Sequence, residues 1–216
     1  MRNNVNYLAV AAALLLSLVL SGCGHNENLF NGKDLDGWVC VTATPEVTDS
    51  LAQPVAPPVE ETFFVKDGVL HITGEPFGYI RTEKKYAEYM LILEWRWAGP
   101  RTDGGIYTVL QDGDKVWPAG IQLQLRESDF GYLFSALPLE GIEGPFYRKP
   151  PVCEKDPEKA DGEWNQTVIL CQDGKIAALV NGVLVNEASI ESTEGYIGFQ
   201  SEGGPIEFRR IIVHTD

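Results

Sequence analysis

The sequence predicts an all-β fold, a sandwich of two antiparallel sheets, and three observations lead to that prediction. Short segments rich in β-branched and aromatic residues recur along the chain, separated by turn dipeptides that favour positive φ. Several segments alternate apolar and polar side chains, as strands with one buried face do. No helical apolar period is sustained after residue 22, and we expect at most one short helical turn, at residues 83–88.

The N-terminal residues 1–22 have the parts of a lipoprotein signal peptide. Arg2 is their only charged side chain, and the apolar run from Leu8 to Leu20 is shorter than the roughly 20 residues of a membrane-spanning helix. The run ends in Leu20-Ser21-Gly22-Cys23, a pattern cleaved before a cysteine that carries lipid. The alternative is an ordinary cleaved signal followed by a structural cysteine.

Lipidation of Cys23 would keep the folded part in water beside a membrane. We therefore predict a cell-envelope lipoprotein of the outer membrane, at its periplasmic face or at the cell surface. Residues 23–28 are predicted as a short linker to the anchor. Residues 29–216 are predicted as a single domain, because their length suits one compact core and is short for two.

Two groups of strands are marked by tight turns. Asp67-Gly68 separates residues 63–65 from residues 69–72 and predicts a hairpin. Two further turns predict a meander of three antiparallel strands, in residues 168–171, 175–180 and 183–185; its turns are Asp173-Gly174 and Asn181-Gly182.

Two long segments are predicted as loops. Residues 42–62 contain four prolines and few large apolar side chains, which is typical of a surface segment. Residues 128–162 carry several aromatic side chains and end in a charged stretch. A loop of that length is usually functional, and a substrate-gating loop and a variable surface excursion both remain open.

Three strands present planar polar side chains on the face opposite their apolar one. Alternation in residues 91–97, 121–126 and 196–200 directs these side chains to one side, namely Glu94, Arg96, Gln122, Gln124, Arg126, Tyr196 and Gln200. Amide, carboxylate, guanidinium and aromatic groups suit hydrogen bonding and stacking on sugars. An ordinary solvated sheet face would show the same alternation. Tryptophans 38, 117 and 164 likewise suit either a core or a stacking platform.

Charge and cysteine content limit the classes of ligand. The formal charge is −14, and −15 once Arg2 is removed with the signal, which disfavours nucleic acid and anionic membrane surfaces. Cys40, Cys153 and Cys171 permit one disulfide, with three pairings open. Neither their spacing nor that of the three histidines predicts a metal site.

Ordered motifs across the chain resemble the 3-keto-disaccharide hydrolase family. Each motif alone is weak, but their number and order are specific. They are Leu29-Phe30-Asn31-Gly32-Lys33-Asp34-Leu35-Asp36-Gly37-Trp38, Glu94-Trp95-Arg96, Asp103-Gly104-Gly105-Ile106-Tyr107, Trp117-Pro118, Ile121-Gln122-Leu123-Gln124, Gly162-Glu163-Trp164-Asn165, Asn181-Gly182, Gly198-Phe199-Gln200 and Phe208-Arg209-Arg210-Ile211.

The resemblance implies a concanavalin A-like jelly roll with a concave binding face, as in related lectins and glucanases. It also implies cleavage of glycosides oxidised to a ketone at C3, by elimination and hydration or by hydrolysis. For catalysis we expect Glu94 as base or acid, Arg96 as enolate stabiliser and Asp103 as a second carboxylate. We expect substrate contacts, in the same groove, from Tyr107, Gln122, Gln124, Trp164, Gln200 and Glu202. Some members use a divalent metal, which this sequence does not require, so no metal ligand is predicted.

The chain departs from the family pattern at Asp103, Val109, Gln122 and Glu202. The family usually has an asparagine, an arginine, a glutamate and a histidine at or near these positions. Because these groups take part in the family's catalysis, we predict that the ligand partner is either a 3-keto-glycoside, which is cleaved, or an oligosaccharide, which is only bound. The alternative function is a non-catalytic carbohydrate-binding module of the same fold. A glucanase is less favoured, since residues 122–127 lack its paired acids on one strand.

Overall fold

A computed structural model describes residues 24–43, 59–135, 147–191 and 193–215. These residues form two antiparallel sheets, and their helical structure is limited to α1 (Val59–Thr62) and a 3-10 turn (Glu127–Asp129). The strands are, in chain order, β1 (His25–Asn28), β2 (Trp38–Thr42), β3 (Phe63–Lys66), β4 (Val69–Ile72), β5 (Gly78–Thr82), β6 (Tyr89–Trp97), β7 (Gly105–Leu110), β8 (Ile121–Gln124), β9 (Leu133–Ser135), β10 (Tyr147–Lys149), β11 (Asn165–Gln172), β12 (Lys175–Val180), β13 (Val183–Ser189), β14 (Tyr196–Ser201) and β15 (Ile206–Thr215).

The two sheets have different strand orders. Sheet A runs β13-β12-β11-β6-β15-β4-β3, with β1 paired to the C-terminal half of β15. Sheet B runs β10-β9-β8-β7-β14-β5-β2. Strands β6 and β15 are therefore neighbours in sheet A, whereas β7, β8 and β14 lie together in sheet B. This assignment decides which polar side chains can form one site.

The turn dipeptides close the hairpins that they predict. Asp67, Asp173 and Asn181 have φ of 52°, 51° and 50°, and each is followed by a glycine with positive φ. Positive φ at both central residues is what type I′ turns require, and asparagine, aspartate and glycine adopt it at least cost. The predicted hairpin is β3–β4 and the predicted meander is β11–β12–β13. Both are confirmed.

The core lies between the two sheets. On β6, the odd-numbered residues from Leu91 to Trp97 are buried and the even-numbered residues between them are partly exposed. Phe199 of sheet B stacks on Phe208 of sheet A with ring centroids 4.3 Å apart. Full burial of each large apolar side chain stabilises the fold by about 1.5–3 kcal/mol. The fold is thus the predicted all-β jelly-roll sandwich, with the second face of each sheet directed outwards.

Several local expectations are corrected. Residues 83–88 form no helix, because the backbone of Tyr86 pairs with that of Gly195 in both directions, at 2.8 and 3.0 Å. The predicted linker contains strand β1, which pairs with β15. The predicted loop at residues 128–162 includes β9 and β10, which extend sheet B.

The disulfide that the sequence permits is not formed, since Cys40, Cys153 and Cys171 are all free. Cys171 is buried, and burial raises the pKa of its thiol to about 12. Cys23 and the signal segment lie outside the described residues, as does most of the loop at residues 42–62. No described helix is long and apolar enough to cross a membrane.

Candidate functional site

Polar side chains gather on the outer face of sheet B, the face directed away from sheet A. Tyr107 pairs with Gln122 on one side and with Gly198 on the other, so β7, β8 and β14 align their outward residues. The next outward residues along two of these strands are Gln124 and Gln200. Alternation thus places one tyrosine and three glutamines side by side, as the sequence predicts.

The three glutamines form a continuous hydrogen-bonded row, here called the amide relay (Gln122, Gln124 and Gln200). The Gln122 amide donates to Gln200 Oε1 and, at 2.9 Å, to Gln124 Oε1. At the ends of the relay, Gln200 donates to Glu202, and Gln124 donates to Asp103 Oδ1 at 3.0 Å. All three glutamines are buried, so each amide is oriented by its neighbours. The relay therefore holds two carboxylates in fixed positions.

Gly105 makes room for the amide relay. A Cβ at this position would lie 1.8 Å from Nε2 of Gln122, inside the space that the amide fills. The requirement for glycine is steric here, because Gly105 is not among the residues with positive φ.

The two carboxylates at the ends of the relay meet at one end of sheet B. Asp103 and Glu202 form an isolated antiparallel β-bridge just beyond β7 and β14. Asp103 also accepts the backbone N–H of Gly104 at 2.9 Å and pairs with Nη1 of Arg126 at 3.0 Å. Its side chain keeps 14% of its surface exposed. A substrate on this face would therefore meet two neighbouring carboxylates with different partners.

Burial and mutual repulsion separate the acidities of the two carboxyl groups. Burial and, to a smaller extent, the Asp103 charge raise the pKa of Glu202 to about 7, although Arg126 acts in the opposite direction. Burial also raises the pKa of Asp103, but Arg126, the Gly104 N–H and Gln124 all favour its ionised form. Near neutral pH the pair can hold one proton, and the contacts favour its residence on Glu202.

Two arginines, Arg126 and Arg148, are joined through Asp129 beside the carboxylates, and these three residues are here called the basic rim. Arg126 also pairs with Asp129, whose Oδ1 accepts from Nη2 of Arg148 at 2.7 Å. The Arg148 guanidinium lies 4.6 Å from the ring centre of Tyr132. Nε of Arg126 is buried and has no partner within the described part of the chain. The basic rim therefore supplies guanidinium groups, which are suitable donors for an oxyanion.

The family profile described as the 3-keto-alpha-glucoside-1,2-lyase-like domain matches residues 25–214. The chain belongs to this family. The match confirms the resemblance carried by the ordered motifs and ties the chain to carbohydrate chemistry. None of the curated proteins matches this family member significantly in sequence.

Solved structures share the fold of this 3-keto-alpha-glucoside-1,2-lyase-like domain. A provisionally assigned glycosyl hydrolase from Parabacteroides distasonis has 21% identity and a TM-score of 0.62, over 87% of this chain and 92% of its own. Bacillus licheniformis β-glucanase has 12% identity and a TM-score of 0.59, over 91% and 99%. The carbohydrate-binding module CBM66 from Bacillus subtilis has 10% identity and a TM-score of 0.55, over 81% and 93%. At these identities the likeness establishes the jelly roll alone.

The structure separates the sequence-predicted residues of this family member into two groups. Asp103, Tyr107, Glu202 and the amide relay lie together on or beside the outer face of sheet B. The prediction that Glu94 and Arg96 share their groove is wrong, because β6 belongs to sheet A and presents its polar side chains on the opposite surface of the sandwich. Alternation along a strand shows which side chains share a face, but it does not show which sheet the strand joins.

Glu94 and Arg96 are members of a cross-strand ion-pair ladder on sheet A. Glu94 accepts from Nε of Arg209 at 2.7 Å and from Nη1 of Arg210 at 2.8 Å. Nε of Arg96 donates to Glu207 at 2.6 Å. Each of these carboxylates already has a guanidinium partner. The ladder therefore stabilises sheet A, and Glu94 and Arg96 are structural residues in it.

Trp164, predicted as a substrate contact, also lies with the sheet A ladder. The guanidinium carbons of Arg96 and Arg209 lie 4.5 and 3.9 Å from its ring centre. Its indole is therefore already engaged by two cations. Trp38 is a core residue, whose Nε1 donates to the Leu29 carbonyl at 2.8 Å.

Sequence reasoning missed part of the basic rim. Alternation predicted Arg126 on the polar face, after Gln124, but it assigned Arg126 no role in the site. Asp129 and Arg148 fall in a segment predicted as a loop, where no periodicity indicates a face. Val109, where the family usually has an arginine, packs in the core at a φ of 52°.

No group of three or more histidine, cysteine, aspartate or glutamate side chains in the described ranges could hold a metal ion.

Proposed function

We propose that this protein cleaves 3-keto-glycosides by elimination on the outer face of sheet B. The observation that carries the proposal is the pair of carboxyl groups, Asp103 and Glu202, held at opposite ends of one amide relay. Their contacts favour an ionised Asp103 beside a protonated Glu202 near neutral pH. One base and one acid with separated pKa values are what an elimination requires.

The ketone at C3 acidifies the proton on C2 of the sugar. Asp103 removes that proton, and the electron pair is delocalised onto the C3 oxygen as an enolate. The enolate collapses as the C1–O bond breaks, so that a double bond forms between C1 and C2. Glu202 gives its proton to the departing oxygen, which leaves as a free alcohol or sugar. Water then adds across the double bond to give the free 3-keto-sugar.

The other groups of the face have supporting roles. Arg126, paired with Asp103 at 3.0 Å, is the guanidinium donor that we assign to the developing enolate. Removing a donor of this kind costs roughly 100-fold to 1,000-fold in kcat. Tyr107 and the amide relay are buried under this face, and the relay orients Asp103 and Glu202. The acidic character of the chain is compatible with such a neutral ligand.

The proposal is tested with 3-keto-sucrose or 3-keto-trehalose and the unoxidised parent sugar. We expect the wild type to release free sugar from the keto form only, as followed by chromatography. Asp103→Asn, which keeps the size of the side chain, should reduce this rate by roughly 100-fold or more. Calorimetric binding of both sugars without product from either would contradict catalysis and would assign the face to a non-catalytic carbohydrate-binding module.

We further propose that the protein works in the cell envelope, anchored by lipid on Cys23. The support is the order of charge, apolar run and Leu20-Ser21-Gly22-Cys23 in the sequence. In the structure, strand β1 begins at His25, so an anchor on Cys23 would be followed closely by the folded domain.

A further inference from the structure

The loop between β7 and β8, residues 111–120, lies along the outer face of sheet B and is here called the strap. Its base is closed by a hydrogen bond from Gln111 N to the Ala119 carbonyl at 2.8 Å. Near the base, Asp112 accepts from Nζ of Lys85 at 2.7 Å and from the Tyr196 hydroxyl at 2.9 Å. These contacts tie the start of the strap to the sheet.

A second contact holds the middle of the strap over the face. Asp114 receives two hydrogen bonds from Arg81, at Nε 2.9 Å and Nη2 3.1 Å. Arg81 is itself buried, and its guanidinium carbon lies 4.1 Å from the ring centre of Tyr196. A bidentate pair on a buried arginine has a defined geometry, which distinguishes it from a loose surface ion pair.

The strap carries Trp117 to the side of Phe77, with ring centroids 6.0 Å apart and an interplanar angle of 55°. Trp117 keeps 38% of its surface exposed and is one of three exposed large apolar side chains in the described ranges. An exposed tryptophan costs solvation free energy that a ligand's apolar surface could recover. Its partner Phe77 is half-buried.

The position of Phe77 places this aromatic pair at the end of sheet B that also carries Glu202. The segment that contains Phe77 runs antiparallel to the one that contains Glu202. Gly203 N bonds to the Gly74 carbonyl at 2.7 Å, and Ser201 Oγ bonds to the Pro76 carbonyl at 3.1 Å. The two aromatic rings therefore lie at the end of sheet B where the carboxylates meet.

We propose that Trp117 and Phe77 form the binding subsite for the leaving group of the substrate. This inference rests on the proposed function, in which Glu202 protonates the departing oxygen. The group on that oxygen must then lie next to Glu202, where the aromatic pair is. Its chemistry is a ring with a flat apolar face, either the C–H face of a pyranose or an aromatic aglycone.

The test compares 3-keto-glucosides with methyl, phenyl and glucosyl leaving groups. Trp117→Ala should raise KM about 10-fold for the phenyl and glucosyl substrates, leave kcat unchanged and leave both constants unchanged for the methyl substrate. An effect on the phenyl substrate alone would identify aromatic aglycones, and an effect on both would identify any flat ring. Equal losses for all three substrates would overturn the proposal.

Two further variants control for structure. Trp117→Phe should restore most of the binding, whereas Val183→Ala, at an exposed apolar residue of sheet A, should change no constant. Asp114→Asn, which weakens the hold of Arg81 on the strap, should give the same substrate-dependent loss as Trp117→Ala. A normal KM in Asp114→Asn together with a raised KM in Trp117→Ala would still support the subsite.

A binding measurement tests the aromatic subsite independently of catalysis. If the wild type turns over no 3-keto-glucoside, calorimetry with unoxidised phenyl and methyl glucosides still examines the subsite. We expect tighter binding of the phenyl glucoside by the wild type, and loss of that preference in Trp117→Ala. Equal affinity of the wild type for both glucosides would contradict the subsite whatever the outcome for catalysis.

Discussion

Gln122 occupies a central place among the residues of the site. Its amide serves Gln200 and Gln124 at once, and through them it is connected to both carboxylates. A buried amide that loses its partner leaves a desolvated polar group, at a cost of about 1–3 kcal/mol. Changes at the relay should therefore affect the orientation of Asp103 and Glu202 even where neither is replaced.

Gly105→Ala tests the relay without removing any member of it. The added Cβ displaces the flexible Gln122 amide, so we expect a loss of about 1–3 kcal/mol in the free energy of unfolding and a fall in kcat/KM of at least about 10-fold. Gly24→Ala is the control, because its Cβ would lie 3.2 Å from the Thr215 carbonyl at the edge of sheet A, away from the relay. Equal losses of activity in both variants would argue against a specific role for the relay.

The acidity of Glu202 makes a prediction about pH. Because the proposed acid must be protonated and its pKa is raised to about 7, kcat should fall as pH rises through about 7. The measurement is kcat for a 3-keto-glycoside from pH 5 to pH 9. Glu202→Gln should remove this alkaline limb along with most of the rate. A rate that instead rises through pH 7 would show that Glu202 acts as the base.

At the level of strands, local sequence predicts much of the fold. The turn dipeptides fix the β3–β4 hairpin and the β11–β12–β13 meander, and alternation on β6 and β8 gives the buried face of each. The sequence does not say which sheet a strand joins, because neighbours such as β6 and β15 are far apart in the chain. That long-range pairing is why Glu94 was predicted in the wrong group.

The ion-pair ladder of sheet A predicts a structural role for Glu94. It is 16% exposed and paired with two arginines that are 32% and 69% exposed, Arg209 and Arg210. We expect Glu94→Gln to lower the free energy of unfolding by about 1–2 kcal/mol, between the values for exposed and buried pairs. Chemical denaturation measures this change, and high salt should reduce it. An unchanged stability would contradict the structural role.

For the whole molecule, the ordered motifs predicted both family and jelly roll, because they occur in the expected order from residue 29 to residue 211. Composition disfavoured only nucleic acid and anionic membranes as ligands, and the motifs supplied the link to carbohydrate. The exact set of site residues was harder to predict, since Arg148 lies in a segment predicted as a loop and the strap has no periodicity. Their positions depend on contacts such as Arg81 with Asp114, which are distant in sequence.

The predicted lipid on Cys23 determines whether the whole molecule is attached to a membrane. If Cys23 carries lipid, the wild type expressed in a bacterial host should partition into the detergent phase, and Cys23→Ser should partition into the aqueous phase. The three other cysteines of the mature chain are retained in this variant and serve as internal controls. A wild type found in the aqueous phase would contradict lipidation.

The proposed site of catalysis lies on sheet B and not on sheet A. The most direct test is kcat/KM for one 3-keto-glycoside with the wild type, Glu202→Gln and Glu94→Gln, measured at neutral pH and at a temperature where all three are folded. We predict a fall of roughly 100-fold or more for Glu202→Gln and a value within about twofold of the wild type for Glu94→Gln. The reverse order, with Glu94→Gln inactive and Glu202→Gln active, would contradict catalysis on sheet B.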